Sequence, residues 1–87
     1  MAQLKITMAD GEVKTFPITP TIEVAFEKYA KGGFSKIFRE NERATDIYWL
    51  AWKVLEKEGT RELHPPESEK FLDTLKSVEV IDDDPNG

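Results

Sequence analysis

A single histidine is the side chain of this 87-residue chain best suited to act as a general base or a metal ligand. His64 is followed directly by Pro65 and Pro66, which exclude a helix there and predict a loop. No serine has a plausible position beside it to serve as a nucleophile. The chain has no cysteine, which excludes thiolate nucleophiles, disulfides and thiolate zinc sites. We therefore interpret His64 as an exposed loop residue.

Clustered carboxylates are the second group of side chains that could bind a metal or catalyse a reaction. Residues 82–84 are three consecutive aspartates, whereas a calcium loop spaces its ligands and turns the chain at a glycine. Two glutamate pairs fall at the ends of predicted helices without an apolar pocket that would tune them for acid–base work. They are Glu56 with Glu58 and Glu67 with Glu69. The pattern predicts a protein that is not an enzyme and has no catalytic residues, no cofactor and no bound metal.

The charge balance limits the partners of the chain. There are 12 lysines and arginines against 17 aspartates and glutamates, which gives a net charge of −5. Nucleic-acid binding depends mainly on clustered basic side chains, so we expect none here. No apolar run approaches the roughly 20 residues of a membrane span, and the first residues lack a signal-peptide pattern. We expect a soluble, unsecreted protein that does not bind membranes.

A β-hairpin is predicted at the N-terminus. Apolar and polar residues alternate over residues 3–8, and a second strand over residues 12–17 follows the turn pair Asp10 and Gly11. Since a hairpin alone is marginal, its apolar side chains must pack against helices. Those side chains are Leu4, Ile6, Val13 and Phe16.

Helical periodicity dominates the rest of the chain. The first helix starts at Thr19 and Pro20 and stops at Gly32 and Gly33. Residues 34–58 are helical, as one bent helix or as two, with a cap at Asn41 or Thr45 and an end at Gly59. After a polar loop over residues 60–67, a last helix is predicted. Its apolar face is Phe71, Leu72, Leu75 and Val78.

These elements predict one α+β domain over residues 1–81. In it an N-terminal β-hairpin packs on a small bundle of three to four α-helices. Residues 82–87 have nothing to bury and are predicted to be a disordered acidic tail.

The run "DIYWLAW", which begins at Asp46, holds more apolar surface than one helical face requires. On a helical wheel with Ile47 at zero, Trp52 falls at about 140° and Trp49 at about 200°, where an amphipathic helix is normally polar. Either this helix is central and both rings are core, or at least one ring is exposed and binds a protein partner.

The order of these segments resembles a known family. The hairpin "ITMADGEVKTFPIT", the helix "IEVAFEKYAKGG", the aromatic helix "IYWLAWKVLEKEG" and the stretch "ESEKFLDTLKSVEVIDDDP" together cover about residues 4–84. They are similar to the small tail assembly chaperones of long-tailed, siphovirus-type bacteriophages.

This resemblance implies a function. Such chaperones act in the cytoplasm of the infected host, where they coat the tape-measure protein and help recruit tail-tube protein around it. They are not expected in the mature virion. In many of these phages a ribosomal frameshift adds a second domain to a longer form, which would begin here after Val80.

The residues that would bind the partner are a physical inference beside the resemblance. Tyr48, Trp49 and Trp52 provide apolar anchors for an amphipathic helix, and Phe34 and Phe38 form a second lip of the same groove. Self-association of the chain through this patch is an open alternative.

Two other functions remain open at this point. One is a small acidic phage-encoded inhibitor of a host enzyme, although a net charge of −5 is low for a mimic of nucleic acid. The other is a structural connector within the phage particle.

Overall fold

Two strands at the N-terminus form the hairpin that the sequence predicts. In the computed structural model, which describes residues 2–33, 44–59 and 63–82, β1 (Ala2–Met8) pairs antiparallel with β2 (Val13–Pro17). The Gly11 N–H donates a 2.9 Å hydrogen bond to the Met8 carbonyl and closes the turn. Gly11 has a φ of 95°, which other residues rarely adopt, so the glycine is required by the turn.

Val13 does not lie in the core, contrary to the prediction. It pairs with Thr7, whereas Phe16 pairs with Leu4. Residues three apart in a regular strand point to opposite faces of the sheet, so Val13 and Phe16 cannot both face the helices. Val13 is 53% exposed, and Phe16 is half-buried against the core.

The first helix, α1 (Pro20–Ala30), begins as predicted. Thr19 is its N-cap, and a proline occupies its first turn. It ends before the predicted glycine pair, because Lys31 adopts the left-handed conformation with a φ of 59° and donates its N–H to the Glu27 carbonyl. A side chain is strained in this conformation, which glycine adopts without cost.

The second helix, α2 (Ala44–Lys57), carries the aromatic run. Gly59 follows it in a left-handed conformation, so the predicted end is confirmed. Thr45, one of the two predicted caps, is already helical. The other, Asn41, lies in residues 34–43, which are outside the described residues together with the predicted join between the helical segments.

The predicted last helix is wrong beyond its first turn. α3 is the single turn Glu69–Leu72, which Ser68 caps through a 3.3 Å hydrogen bond from the Phe71 N–H. The chain then forms a strand, β3 (Leu75–Asp82), which pairs antiparallel with β1.

A β-bulge explains why β3 resembles a helix in the sequence. Leu75 lies opposite Met8, and Val78 lies opposite Ile6. Both therefore point to the inner face of the sheet, although they are three residues apart. The register shifts between Thr7 and Met8, and the extra residue of the bulge produces this spacing.

The core lies between one face of the sheet and the helices. The strand order is β2-β1-β3, so β1 is central, and Leu4 and Ile6 expose none of their surface. The buried apolar side chains are Leu4, Ile6, Ile18, Ile22, Phe26, Leu50, Ala51, Val54, Leu55 and Phe71. The chain has an α+β fold. The predicted bundle of three to four helices is not shown, because the described part has α1, α2 and the single turn α3.

Asp82, which the sequence assigns to the acidic tail, belongs to a strand. Asp82 is the last residue of β3 and lies opposite Ala2, and residues 83–87 are outside the described part of the chain. None of the helices described is both long and apolar enough to cross a membrane.

The left-handed conformation of Lys31 leads to a test of the helix end. We expect Lys31→Gly to raise the free energy of unfolding by about 1 kcal/mol, because glycine has no Cβ to strain. Lys28→Gly, in the last turn of the same helix, is the matched control and should lower the free energy of unfolding by about 1 kcal/mol. Urea unfolding followed by circular dichroism measures both changes. A loss of stability in Lys31→Gly would contradict the assignment of this helix end.

Candidate protein-binding surface

One side of α2 makes the core, as the helical wheel predicts. Leu50, Ala51, Val54 and Leu55 are buried. Ile47, which the wheel places at the centre of that side, is half-buried. The wheel also places Tyr48 on this side, at about 100° from Ile47, and only Trp49 and Trp52 outside it. Each of the three aromatic residues of the run has its own surroundings.

Trp49 packs against α1. Its ring is stacked on Tyr29, with the ring centroids 4.3 Å apart and the planes 7° from parallel. It also meets Phe26 edge to face, at a centroid distance of 6.0 Å and an angle of 60°. Trp49 is half-buried, so this chain covers part of the ring and leaves the rest accessible. Position 49 is apolar because α1 packs beside it. A helical wheel describes one helix alone, so it does not show this neighbour.

Trp52 lies one helical turn further along α2 and packs against a loop. Its ring centroid is 6.2 Å from that of Trp49, with the planes tilted by 43°. The indole Nε1–H donates a 2.8 Å hydrogen bond to the backbone carbonyl of His64. Leu63, the residue before, is half-buried against the core. Trp52 is therefore also half-buried, with its polar atom satisfied by the chain itself.

Tyr48 borders an open groove of about 380 Å³. The ring is half-buried, and Pro66 and Leu72 contribute apolar surface to the same groove. The remaining lining residues are Ala44, Thr45 and Glu67. The two other predicted binding residues, Phe34 and Phe38, lie outside the described residues.

Together Tyr29, Tyr48, Trp49 and Trp52 form what we call the aromatic surface. Tyr29 lies at the helical spacing of Ile22 and Phe26 on α1. Its ring is partly buried against the core, and its stack on Trp49 joins it to this surface. The sequence signal for this was the residue type, since tyrosine often lies with its apolar body inside and its hydroxyl in water.

Asp46, just before the aromatic run, is buried with 2% of its surface exposed. Its carboxylate belongs to the first turn of α2, where the helix dipole favours negative charge. Nothing in the sequence distinguished it from the exposed acidic residues.

The chemistry available at the aromatic surface is non-covalent. Rings supply apolar area, and the indole and phenol groups supply hydrogen bonds. His64 contributes its backbone carbonyl to the contact with Trp52, and the residue itself is exposed. No group of three or more potential metal ligands occurs within the described ranges. The arrangement suits the binding of an apolar partner surface.

Ion pairs near the surface contribute little to its stability. Lys53 and Glu56, on the same helix, are 2.8 Å apart. Both side chains are partly exposed, and such pairs are typically worth less than 1 kcal/mol. The rings are therefore positioned by packing rather than by charge.

The fold and this surface define the class of molecule: a small α+β protein with a half-buried aromatic cluster on its first and second helices. Comparison of the chain with protein-family models, with curated proteins and with solved structures found no match.

A double-mutant cycle tests the stack of Tyr29 on Trp49. We expect the double variant, Tyr29→Leu with Trp49→Leu, to lose about 1 kcal/mol less free energy of unfolding than the two single variants lose in sum. The reason is that each single change already removes the ring pair. Tyr29→Leu with Val13→Ala, on the outer face of the sheet, is the control pair and should be additive. Urea unfolding of the three single variants, the two double variants and the wild type gives both couplings. Additive effects of Tyr29→Leu and Trp49→Leu would contradict the stack.

Proposed function

We propose that this protein is a tail assembly chaperone of a long-tailed bacteriophage, which binds the tape-measure protein in the host cytoplasm. The observation that carries the proposal is that all three aromatic residues of the run, Tyr48, Trp49 and Trp52, are only partly buried, beside the fully buried residues of the same helix. Tryptophan and tyrosine are the favoured anchors of protein contacts. The resemblance of residues 4–84 to this family names the partner.

Binding of an amphipathic helix explains the form of the surface. A tape-measure protein is long and helical, so it offers apolar stripes that aggregate unless they are covered. The stack of Tyr29 on Trp49 holds the Trp49 ring before any partner arrives, which lowers the ordering cost of binding. The net charge of −5 keeps the coated complex soluble.

The resemblance to the same family also supplies the remaining parts of the proposal. The complex would recruit tail-tube protein, and the chaperone would leave before the virion is complete. Self-association through the aromatic surface would compete with the tape-measure protein, because both use the same rings.

Binding to a tape-measure fragment tests this proposal. We expect Tyr48→Ala to weaken the fragment's binding about tenfold, as the loss of an aromatic anchor typically does, with a loss of stability near 1 kcal/mol. Tyr48 is chosen because its ring lines the groove and is not part of the stack that joins α1 to α2. Isothermal titration calorimetry measures the affinity, and urea unfolding measures the stability.

Val24→Ser is the matched control, because Val24 is an exposed apolar residue of α1, 51% accessible, outside the aromatic surface. The affinity of the Val24→Ser variant for the fragment should equal that of the wild type. No binding by the wild type would refute the proposal. An unchanged affinity of Tyr48→Ala for the fragment would mean that the contact lies outside the aromatic surface. Mass spectrometry that detects the chain in purified virions would instead favour a structural connector.

A further inference from the structure

The strand β3 leaves one edge of the sheet without a partner strand in the described part of the chain. The strand order β2-β1-β3 puts β3 at an edge, and its eight residues include no proline. The opposite edge strand, β2, is five residues long and ends in Pro17, which has no N–H to donate. Proteins commonly protect exposed edges with short strands and prolines, as β2 does. The edge of β3 is therefore the one suited to accept a further strand.

The hydrogen bonds of β1 show which backbone groups face this open edge. The Ala2 carbonyl accepts from the Ile18 N–H, and the Met8 N–H donates to the Glu12 carbonyl, so both of these even-numbered residues bond on the side of β2. Successive residues of a strand bond to opposite sides. The odd-numbered residues of β1 therefore bond toward β3.

Val78 and Val80 carry the backbone groups that face the open edge. The odd-numbered residues of β1 lie opposite Ser77, Glu79 and Ile81, so these three residues bond toward β1. The two valines alternate with them and direct their N–H and C=O groups the other way. Their side chains lie on the inner face of the sheet and are half-buried against the core. A strand added at this edge would pair with these backbone groups and cover the exposed part of both valines.

Glu79, between the two valines, defines the charge of the edge. Its carboxylate lies 3.9 Å from the ammonium group of Lys5 on β1, and its side chain is 61% exposed. Both residues lie on the outer face of the sheet. Because Glu79 bonds toward β1, a residue added opposite it forms a pair without backbone hydrogen bonds, in which the two side chains come closest. Attraction by Glu79 favours lysine or arginine at that position of the added strand.

We propose that the open edge of β3 binds an extended segment of a partner protein in which a basic residue lies between two apolar ones. The basic residue lies opposite Glu79, and its apolar neighbours lie opposite Val80 and Val78 on the inner face. Charges then alternate across the outer face, from Lys5 through Glu79 to the partner. The added strand is antiparallel, as are both pairings already present in the sheet.

A second copy of this chain fits the edge less well than a basic segment. If two β3 strands pair antiparallel with Val78 opposite Val80, then Glu79 lies opposite the Glu79 of the second copy. Like charges directly opposite each other destabilise a sheet, and each chain carries a net charge of −5. A basic segment avoids both costs.

This binding site goes beyond the proposed function, because the edge and the aromatic surface share no residue. Binding at β3 requires none of the aromatic rings. It can therefore be tested without the tape-measure protein, and its failure would leave the proposed function untouched.

Titration of the isotope-labelled protein with synthetic heptapeptides tests the edge. One peptide has a central Val-Lys-Val flanked by threonines, and its counterpart has Val-Glu-Val in the same place. We expect the lysine peptide to bind about fivefold more tightly, because one cross-strand pair changes from attraction to repulsion. It should also shift the amide NMR signals of Val78 and Val80.

N-methylation of the lysine peptide separates backbone pairing from charge. The two peptide valines donate their N–H groups to the carbonyls of Val80 and Val78, so methylation of both nitrogens should weaken binding about tenfold. The N–H of the peptide lysine points away from β3. Methylation of that nitrogen is therefore the matched control and should leave the affinity nearly unchanged.

A charge-swapped variant, Lys5→Glu with Glu79→Lys, tests the role of Glu79. It keeps an ion pair between β1 and β3 and the net charge of −5, while it reverses the charge at the edge. We expect this variant to prefer the glutamate peptide about fivefold. Circular dichroism and urea unfolding check that the variant folds. If it does not fold, the methylated peptides still decide with the wild type whether the edge binds.

Four results would overturn the inference. Absence of binding of the lysine peptide to the wild type excludes the site. Equal affinities of the two methylated peptides mean that the peptide does not pair with the edge. A charge-swapped variant that still prefers the lysine peptide shows attraction by the net charge alone. A wild-type dimer in analytical ultracentrifugation, with the Val78 and Val80 amides protected from hydrogen exchange, would make a second copy the occupant.

Discussion

The pairing of β1 with β3 is the contact on which the rest of the structure depends. A two-stranded hairpin is at best marginally stable in water, and β3 turns β1 from an edge strand into a central one. Leu4 and Ile6 are fully buried as a result, with Val80 and Val78 opposite them. The two strands come from opposite ends of the described chain. Their pairing closes one long loop, and the entropic cost of closure grows only slowly with loop length.

The closed loop gives α2 three different neighbours, and these explain the aromatic run. The side with Leu50 and Val54 belongs to the core. Trp49 meets α1 through Tyr29, and Trp52 meets the loop at His64. A helix with one neighbour needs one apolar stripe, whereas a helix with three neighbours is apolar over most of its circumference. The run therefore has no single period because it makes three contacts at once.

Local signals predicted the elements that depend on local physics. The hairpin turn, the start of α1 at Thr19 and the end of α2 at Gly59 all follow from backbone preferences of the residues themselves. The strand β3 was missed because a bulge gave Leu75 and Val78 a helical spacing, and a bulge depends on the partner strand.

The candidate site was only partly predictable, because part of it depends on contacts between distant segments of the chain. Residue type, together with the wheel positions of the two tryptophans, indicated Tyr48, Trp49 and Trp52 as binding candidates. The stack with Tyr29 and the hydrogen bond to His64 depend on how distant segments pack, which no local pattern encodes. Under the proposed function, this packing presents the partner with two rings that are already held in place, Trp49 by the Tyr29 ring and Trp52 by the His64 carbonyl.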